Sequence, residues 1–316
     1  MFKNREGKVR SGWKIAFVLG AIFILVFILS MIIGVVIVFQ AAQMADTQEM
    51  TFDAAYDALF DQWELPLAVV QDVLLIAVSL FAWRVLSKRK LADMGLGGIK
   101  TNWKALAAGL LMGIVSMTLT FLAILATGSG YVASWLPRFS WDALTFLIVF
   151  ILVGFAEEIL SRGYFMSVLR QTKSRAAILI VSSALFSLMH IFNDAFSLIP
   201  FINIALAGLL FGYMFIKSGS IWMPIGFHIT WNYVQGNVFG FHVSGLEVQG
   251  LITTRYAQEN IINGGAFGPE GGVAVTVVLL LSFLFVRWYY RKSRFDFLSM
   301  DGQAAADGGS QAVTLA

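Results

Sequence analysis

Apolar residues fall along this chain in eight long runs separated by short polar segments. About 20 consecutive apolar residues suffice for a helix to cross the hydrocarbon of a bilayer. By that measure the pattern predicts spans at 14–39, 65–86, 103–127, 141–160, 176–192, 198–216, 221–238 and 273–289. The first run follows a basic lead of Lys3, Arg5, Lys8 and Arg10, as a secretory signal does. Its apolar stretch is too long for a signal core and no small-residue cleavage pattern follows, so it reads as a retained span. The expected fold class is an all-α polytopic membrane protein of about eight transmembrane helices.

The segments between the runs carry weaker patterns. Phe52, Tyr56, Leu59 and Trp63 recur at helical spacing opposite Asp53, Asp57 and Asp61, which predicts an amphipathic helix lying in the interface. Gly109 with Gly113, and Gly208 with Gly212, form small-residue stripes suited to close helix packing. The glycine-rich stretch INGGAFGPEGG before the last run reads as a mobile outer loop, and 297–316 as a disordered cytoplasmic tail. The expected organisation is thus a basic N-terminus at 1–13, a transmembrane domain at 14–296 and the tail. There is no internal repeat.

Composition agrees with this class. Of 316 residues, 58% are hydrophobic and 13% charged, where soluble domains carry about 25% charged residues. The net charge of +3 does not point to nucleic acid, because the basic residues sit in the gaps between apolar runs. They lie at the N-terminus, 84–104, 170–175, Lys217 and 287–294, whereas 40–64 holds six acids and no Lys or Arg. This alternation predicts a multi-pass protein of the cell membrane with both termini cytoplasmic. Cysteine is absent, which excludes a disulfide framework, a thiolate zinc site and a thiol nucleophile.

Candidate chemistry follows from what a bilayer makes costly. An ionisable side chain within a span is a functional hypothesis by default, and the second half of the chain has several. Glu157, Glu158 and Arg162 close the fourth run, His190 lies in the fifth, and His228 with Asn232 in the seventh. Glu158 and Arg162 are i,i+4 neighbours and can pair, which gives them a structural role. Glu157 points about 100° away and is left without that partner. A carboxylate beside a polar cavity suits a general base. Phe186 and His190 share one helix face, so the ring can brace the imidazole, and His228 and Asn232 share another. Taken alone, either histidine could instead be satisfied by a neighbouring helix carbonyl, the lesser reading, and Asn232 could as readily be glue between helices. His242 and Asp194 read as interfacial, and Asp72 as a local hydrogen-bond partner. Counted at 1.5 Å per residue, His228 lies about 12 Å from the cytoplasmic end and His190 about 22 Å, a mismatch implying that the fifth span starts outside the membrane or tilts.

The series Glu157-Glu158-x-x-x-Arg162, Phe186-x-x-x-His190 and His228-x-x-x-Asn232 resembles the three-motif signature of the CPBP family, the type II CAAX prenyl proteases and their bacterial Abi, or bacteriocin-processing, relatives. The phrase EEILSRGYFMSVL is similar to the bacterial first motif, with Ser161 where an aromatic is common. The resemblance covers about 141–240. It implies an intramembrane endopeptidase with a cavity open to the cytoplasm and a membrane-associated peptide or protein as substrate. In that reading Glu157 and His190 activate water, and Glu158, Arg162 and Phe186 support the site. His228 and Asn232 stabilise the oxyanion, or His228 joins Glu157 and His190 as a ligand of a divalent metal such as zinc. A metal-independent mechanism is equally coherent. An ion-coupled transporter and a non-catalytic scaffold or immunity protein of the same fold are the other readings; the lack of a repeat speaks against the first.

Overall fold

The apolar runs become helices, and the polar segments decide where these start and stop. The computed structural model describes residues 2–4, 7–47, 50–135 and 141–300. Its main helices are α1 (Ser11–Thr47), α2 (Phe52–Phe81), α3 (Ile99–Ala126), α4 (Trp141–Glu158), α5 (Arg175–Leu188), α6 (Leu198–Ser218), α7 (Trp222–Tyr233) and α8 (Val273–Tyr289). Five helical stretches (11–47, 52–86, 91–126, 141–172 and 198–218) are long and apolar enough to cross a membrane. The chain is an all-α polytopic membrane protein. Its only sheet among the described residues is an antiparallel pair, β1 (Gly130–Ser134) and β2 (Thr253–Tyr256). α4 runs on without a break through a wide, π-type stretch, Ile159–Met166, in which every residue is buried.

Three expectations change. The predicted interfacial helix is instead the first half of α2, which Thr51 caps through a hydroxyl that accepts from Ala54 N. Its apolar stripe has a protein partner: Ala55 and Leu59 pack on Ile37 and Ala41 of α1, which continues well past residue 39. The fifth span is also shorter than predicted. α5 stops at Leu188, and His190 lies in the turn that follows. Finally, the glycine-rich outer loop is packed rather than mobile. A β-carbon at Gly268 (φ +94°) would stand 2.1 Å from His242 O, and one at Gly272 would stand 2.1 Å from Ile262 O. Glycine here permits close backbone approach. Asn203 of α6 fastens the loop by donating to Glu270 O (2.8 Å) and Gly272 O (2.9 Å).

Helix packing then sets the site. Gly109 and Gly113 of α3 lie against Met223, Phe227 and Thr230 of α7, and Gly226 of α7 lies against Leu106 and Leu110 of α3; a β-carbon at Gly109 would approach Met223 O to 2.2 Å. Gly208 and Gly212 hold α6 against Ser183 and Leu179 of α5. Both stripes serve packing. After α8, Phe297 is fully buried beneath Arg170, so Phe297–Ser299 is a docked turn rather than the start of a loose tail. Residues 301–316 of the expected tail lie outside the described residues, as does Arg5 of the basic lead.

Candidate active site

Glu157 and Glu158 are consecutive on α4 and meet different surroundings. Glu158 Oε1 accepts from Arg162 Nη1 at 2.7 Å and lies 3.2 Å from His228 Nδ1. Glu158 is fully buried and Arg162 nearly so. The guanidinium is sandwiched by rings, 4.1 Å from the Phe186 centroid and 4.9 Å from that of Phe211. Pairing and aromatic faces compensate a charge that burial alone would make costly. Glu157 faces the other way. Its Oε2 is buried, has no hydrogen-bond partner, and lies 3.7 Å from His190 Nε2 and 3.8 Å from His228 Nε2.

The outer bonds fix both imidazoles. His190 Nδ1 is 3.0 Å from Phe186 O, an acceptor only, so Nδ1 carries a proton there. His228 Nδ1 faces the Glu158 carboxylate and is the donor for the same reason. In the neutral state each ring therefore presents a bare Nε2 towards Glu157. Three acceptors aimed at one small volume suit the hydrogens of a water or a positive ion.

The fit to a metal is mixed. Two histidines and a glutamate are a zinc-type donor set, and anchoring of the remote ring nitrogen by a carboxylate or carbonyl is the usual outer arrangement. The spacing is wide, since ligands of a tetrahedral zinc stand about 3.3–3.4 Å apart. As they stand, no three such side chains among the described residues are gathered closely enough to hold a metal ion.

The depths of the three motifs agree once the start of α7 is seen. Ile221 N donates to Gly95 O, while Met94 lies against Gly163, so α7 begins level with Gly163 rather than with Thr172. That offset is about 13 Å at 1.5 Å per residue. It places His228 about 24 Å from the inner end, beside Glu157 and His190 at about 22 Å. The fifth span therefore need not start outside the membrane.

Glu157, His190, His228 and Asn232 all line one cavity of about 840 Å³. Asn232 is buried at its wall. The cavity extends towards the acidic loops: Glu64, Asp194, Ser244 and Glu270 stand along it, whereas buried Arg162, Phe165 and Met166 fill the side towards the basic loops. The cavity thus lies on the side of the acidic loops, away from the basic ones. α5 is short and its following turn, with the 243–246 loop, dips to the level of the glutamates from the other side.

Two acids here were not singled out as site residues. Asp72 of α2 was expected to be a local hydrogen-bond partner; it is 8% exposed, makes no hydrogen bond among the described residues and opens on the cavity. The rule applied to the other intramembrane acids would have flagged it. Glu270 was hidden in the glycine-rich loop. Its carboxylate accepts from Trp231 Nε1 (3.1 Å), Ser244 N (2.8 Å) and Ser244 Oγ (2.6 Å), tying that loop to α7. His242 stays in the outer loop, with Nδ1 2.8 Å from Ala266 O, and does not line the cavity.

Residues 139–234 match the family model described as Rce1-like, type II CAAX prenyl endopeptidase Rce1-like. No curated protein and no solved structure matches the chain. The matched segment contains Glu157, Glu158, Arg162, His190, His228 and Asn232, so the likeness to type II CAAX prenyl endopeptidases rests on the part of the chain that builds this site.

Proposed function

We propose that this chain is an intramembrane endopeptidase of the cell membrane that hydrolyses a peptide bond in a membrane-associated peptide or protein. The observation that carries this reading is the unpartnered Glu157 Oε2, facing two imidazole nitrogens at 3.7 and 3.8 Å on the wall of an 840 Å³ cavity. Water held by Glu157 and His190 loses a proton to the glutamate as its oxygen attacks the carbonyl carbon. The Asn232 amide and His228 donate to the oxygen that becomes negative. For His228 that role requires the imidazolium, because Nδ1–H already serves Glu158. The proton on Glu157 then passes to the leaving amine as the C–N bond breaks. Glu158, Arg162 and Phe186 hold the imidazoles in place.

The donor types and their outer bonds favour a second reading of the same residues. Glu157, His190 and His228 would hold a divalent metal, zinc by donor type, and the metal would supply Lewis-acid polarisation. In that case both imidazoles are neutral.

The test is Glu157→Gln, which keeps size and hydrogen bonding and removes the base. Cleavage of a membrane peptide should fall by about 10²–10⁴ with folding unchanged. Full turnover by the variant overturns the assignment. Orientation is checked by single cysteines at Gln258 and Lys292 in intact cells. With the basic ends cytoplasmic, an impermeant thiol reagent labels the first and spares the second. The reverse pattern would put the cavity on the cytoplasmic side.

A further inference from the structure

The charged side chains that line the cavity are Glu64, Asp72, Glu157, Asp194 and Glu270, and no Lys or Arg is among them. One base accounts for Glu157 and a loop tie for Glu270. Asp72 has no such explanation. It is more than nine-tenths buried, lies outside the matched 139–234 segment and makes no hydrogen bond, yet it is near enough for its charge to interact with Glu157 and His228. An ionised acid in that position, beside another carboxylate, is costly, and a cation brought against it would relieve that cost.

Glu64 and Asp72 lie two turns apart on α2, and Leu75 continues the same face into the cavity. This makes an acidic track from the exposed rim at Glu64 to the level of the site. Other parts of the wall are apolar, with Ile22 and Val26 of α1 and Leu279 of α8. Such a channel suits a chain that is apolar on one side and basic on the other. It is unsuited to a free C-terminal carboxylate, which would approach several like charges at low dielectric.

We infer that the cavity selects a basic segment of its peptide substrate, with a Lys or Arg side chain seated against Asp72 and a second at Glu64. This rests on the cavity being the peptide-binding site proposed above. It goes beyond that reading in specifying a basic internal segment as what the cavity recognises.

The experiment measures binding, so it does not depend on turnover. Three N-acylated, C-terminally amidated fluorescent peptides, identical except for a central pair of Lys, norleucine or Glu, are titrated with the full-length protein in nonionic detergent containing a chelator. The Lys peptide should bind at least about tenfold tighter than the norleucine peptide, and the Glu peptide more weakly than both. Asp72→Asn should remove most of the Lys preference. Glu64→Gln, at an exposed position, should reduce it and serves if the first variant does not fold. Equal affinity for the three peptides, or a Lys preference that survives both substitutions, overturns the inference. Binding preference in a protein that cleaves none of the peptides, even without chelator and with zinc added, would sink the protease reading alone; cleavage without preference would sink this inference alone.

Discussion

At the level of its two glutamates, α4 separates a filled side from a hollow one. On the filled side Glu158 and Arg162 are buried: the carboxylate is met by a guanidinium and an imidazole, and the guanidinium by the rings of Phe186 and Phe211. On the hollow side Glu157 meets no donor, and the walls are His190, His228, Asn232 and Asp72. One residue of sequence separates a carboxylate that is spent on structure from one available for chemistry. His228 links the two, since Nδ1 faces the filled side and Nε2 the hollow one. The filled side orients the imidazole that the hollow side uses.

The largest effect is expected from breaking the filled side. Arg162→Ala leaves Glu158 buried with its countercharge gone and removes the group held between two rings. Loss of one partner of a buried pair costs about 3–5 kcal/mol. Thermal unfolding in detergent should shift down sharply, and the yield of folded protein should drop. An unchanged midpoint would mean that the pair contributes nothing to the fold.

Changing the hollow side should act on rate instead. Removal of an oxyanion donor costs about 10²–10³ in kcat, so Asn232→Ala should lose that much with KM and unfolding temperature little altered. The same measurement on His228→Ala separates the two readings of the site. An oxyanion donor leaves residual activity and no metal dependence. A metal ligand instead gives loss of stoichiometric zinc together with nearly all activity, and a wild type that chelation inactivates and zinc restores.

The smallest effect sharpens the contrast. Arg175 Nη2 and Asp296 Oδ1 are 2.7 Å apart, the same separation as Arg162 and Glu158, but both side chains are about half exposed. Water solvates both ions already, so Arg175→Ala should cost no more than about 0.2–1 kcal/mol. The hydrogen bond from Arg175 holds the Asp296 carboxyl below its ordinary value. Its contribution is therefore present above the usual carboxylate range and is lost as pH falls through the depressed value. Wild type and Arg175→Ala should converge in stability at acid pH. A difference that persists there would show that Arg175 acts by packing.

Much of the filled side was legible in one dimension. The i,i+4 spacing of Glu158 and Arg162 implied their pair, and the rotation of one residue implied that Glu157 lacked it. The stripes at Gly109 and Gly208 implied close packing for the same reason: relations within one helix follow from 3.6 residues per turn. The hollow side was much less legible. Asp72 reached the site because α1 and α2 pack as a pair beside α4, and nothing near Asp72 in sequence states that. The level of α7 came from Gly95 bonding to Ile221, a contact between a loop and a distant helix start.

By itself the amino-acid sequence determined the helices, the three motifs and the partition of charge between the two ends. These rest on period and hydropathy, which are local. Only the tertiary structure decided that His190 leaves its helix, that the glycine-rich loop closes over Glu270, and that the cavity lies towards the acidic loops. Glycine shows why. Its missing β-carbon serves equally for freedom in an unpacked chain and for contact in a packed one, and the choice depends on what the rest of the chain brings within 3 Å.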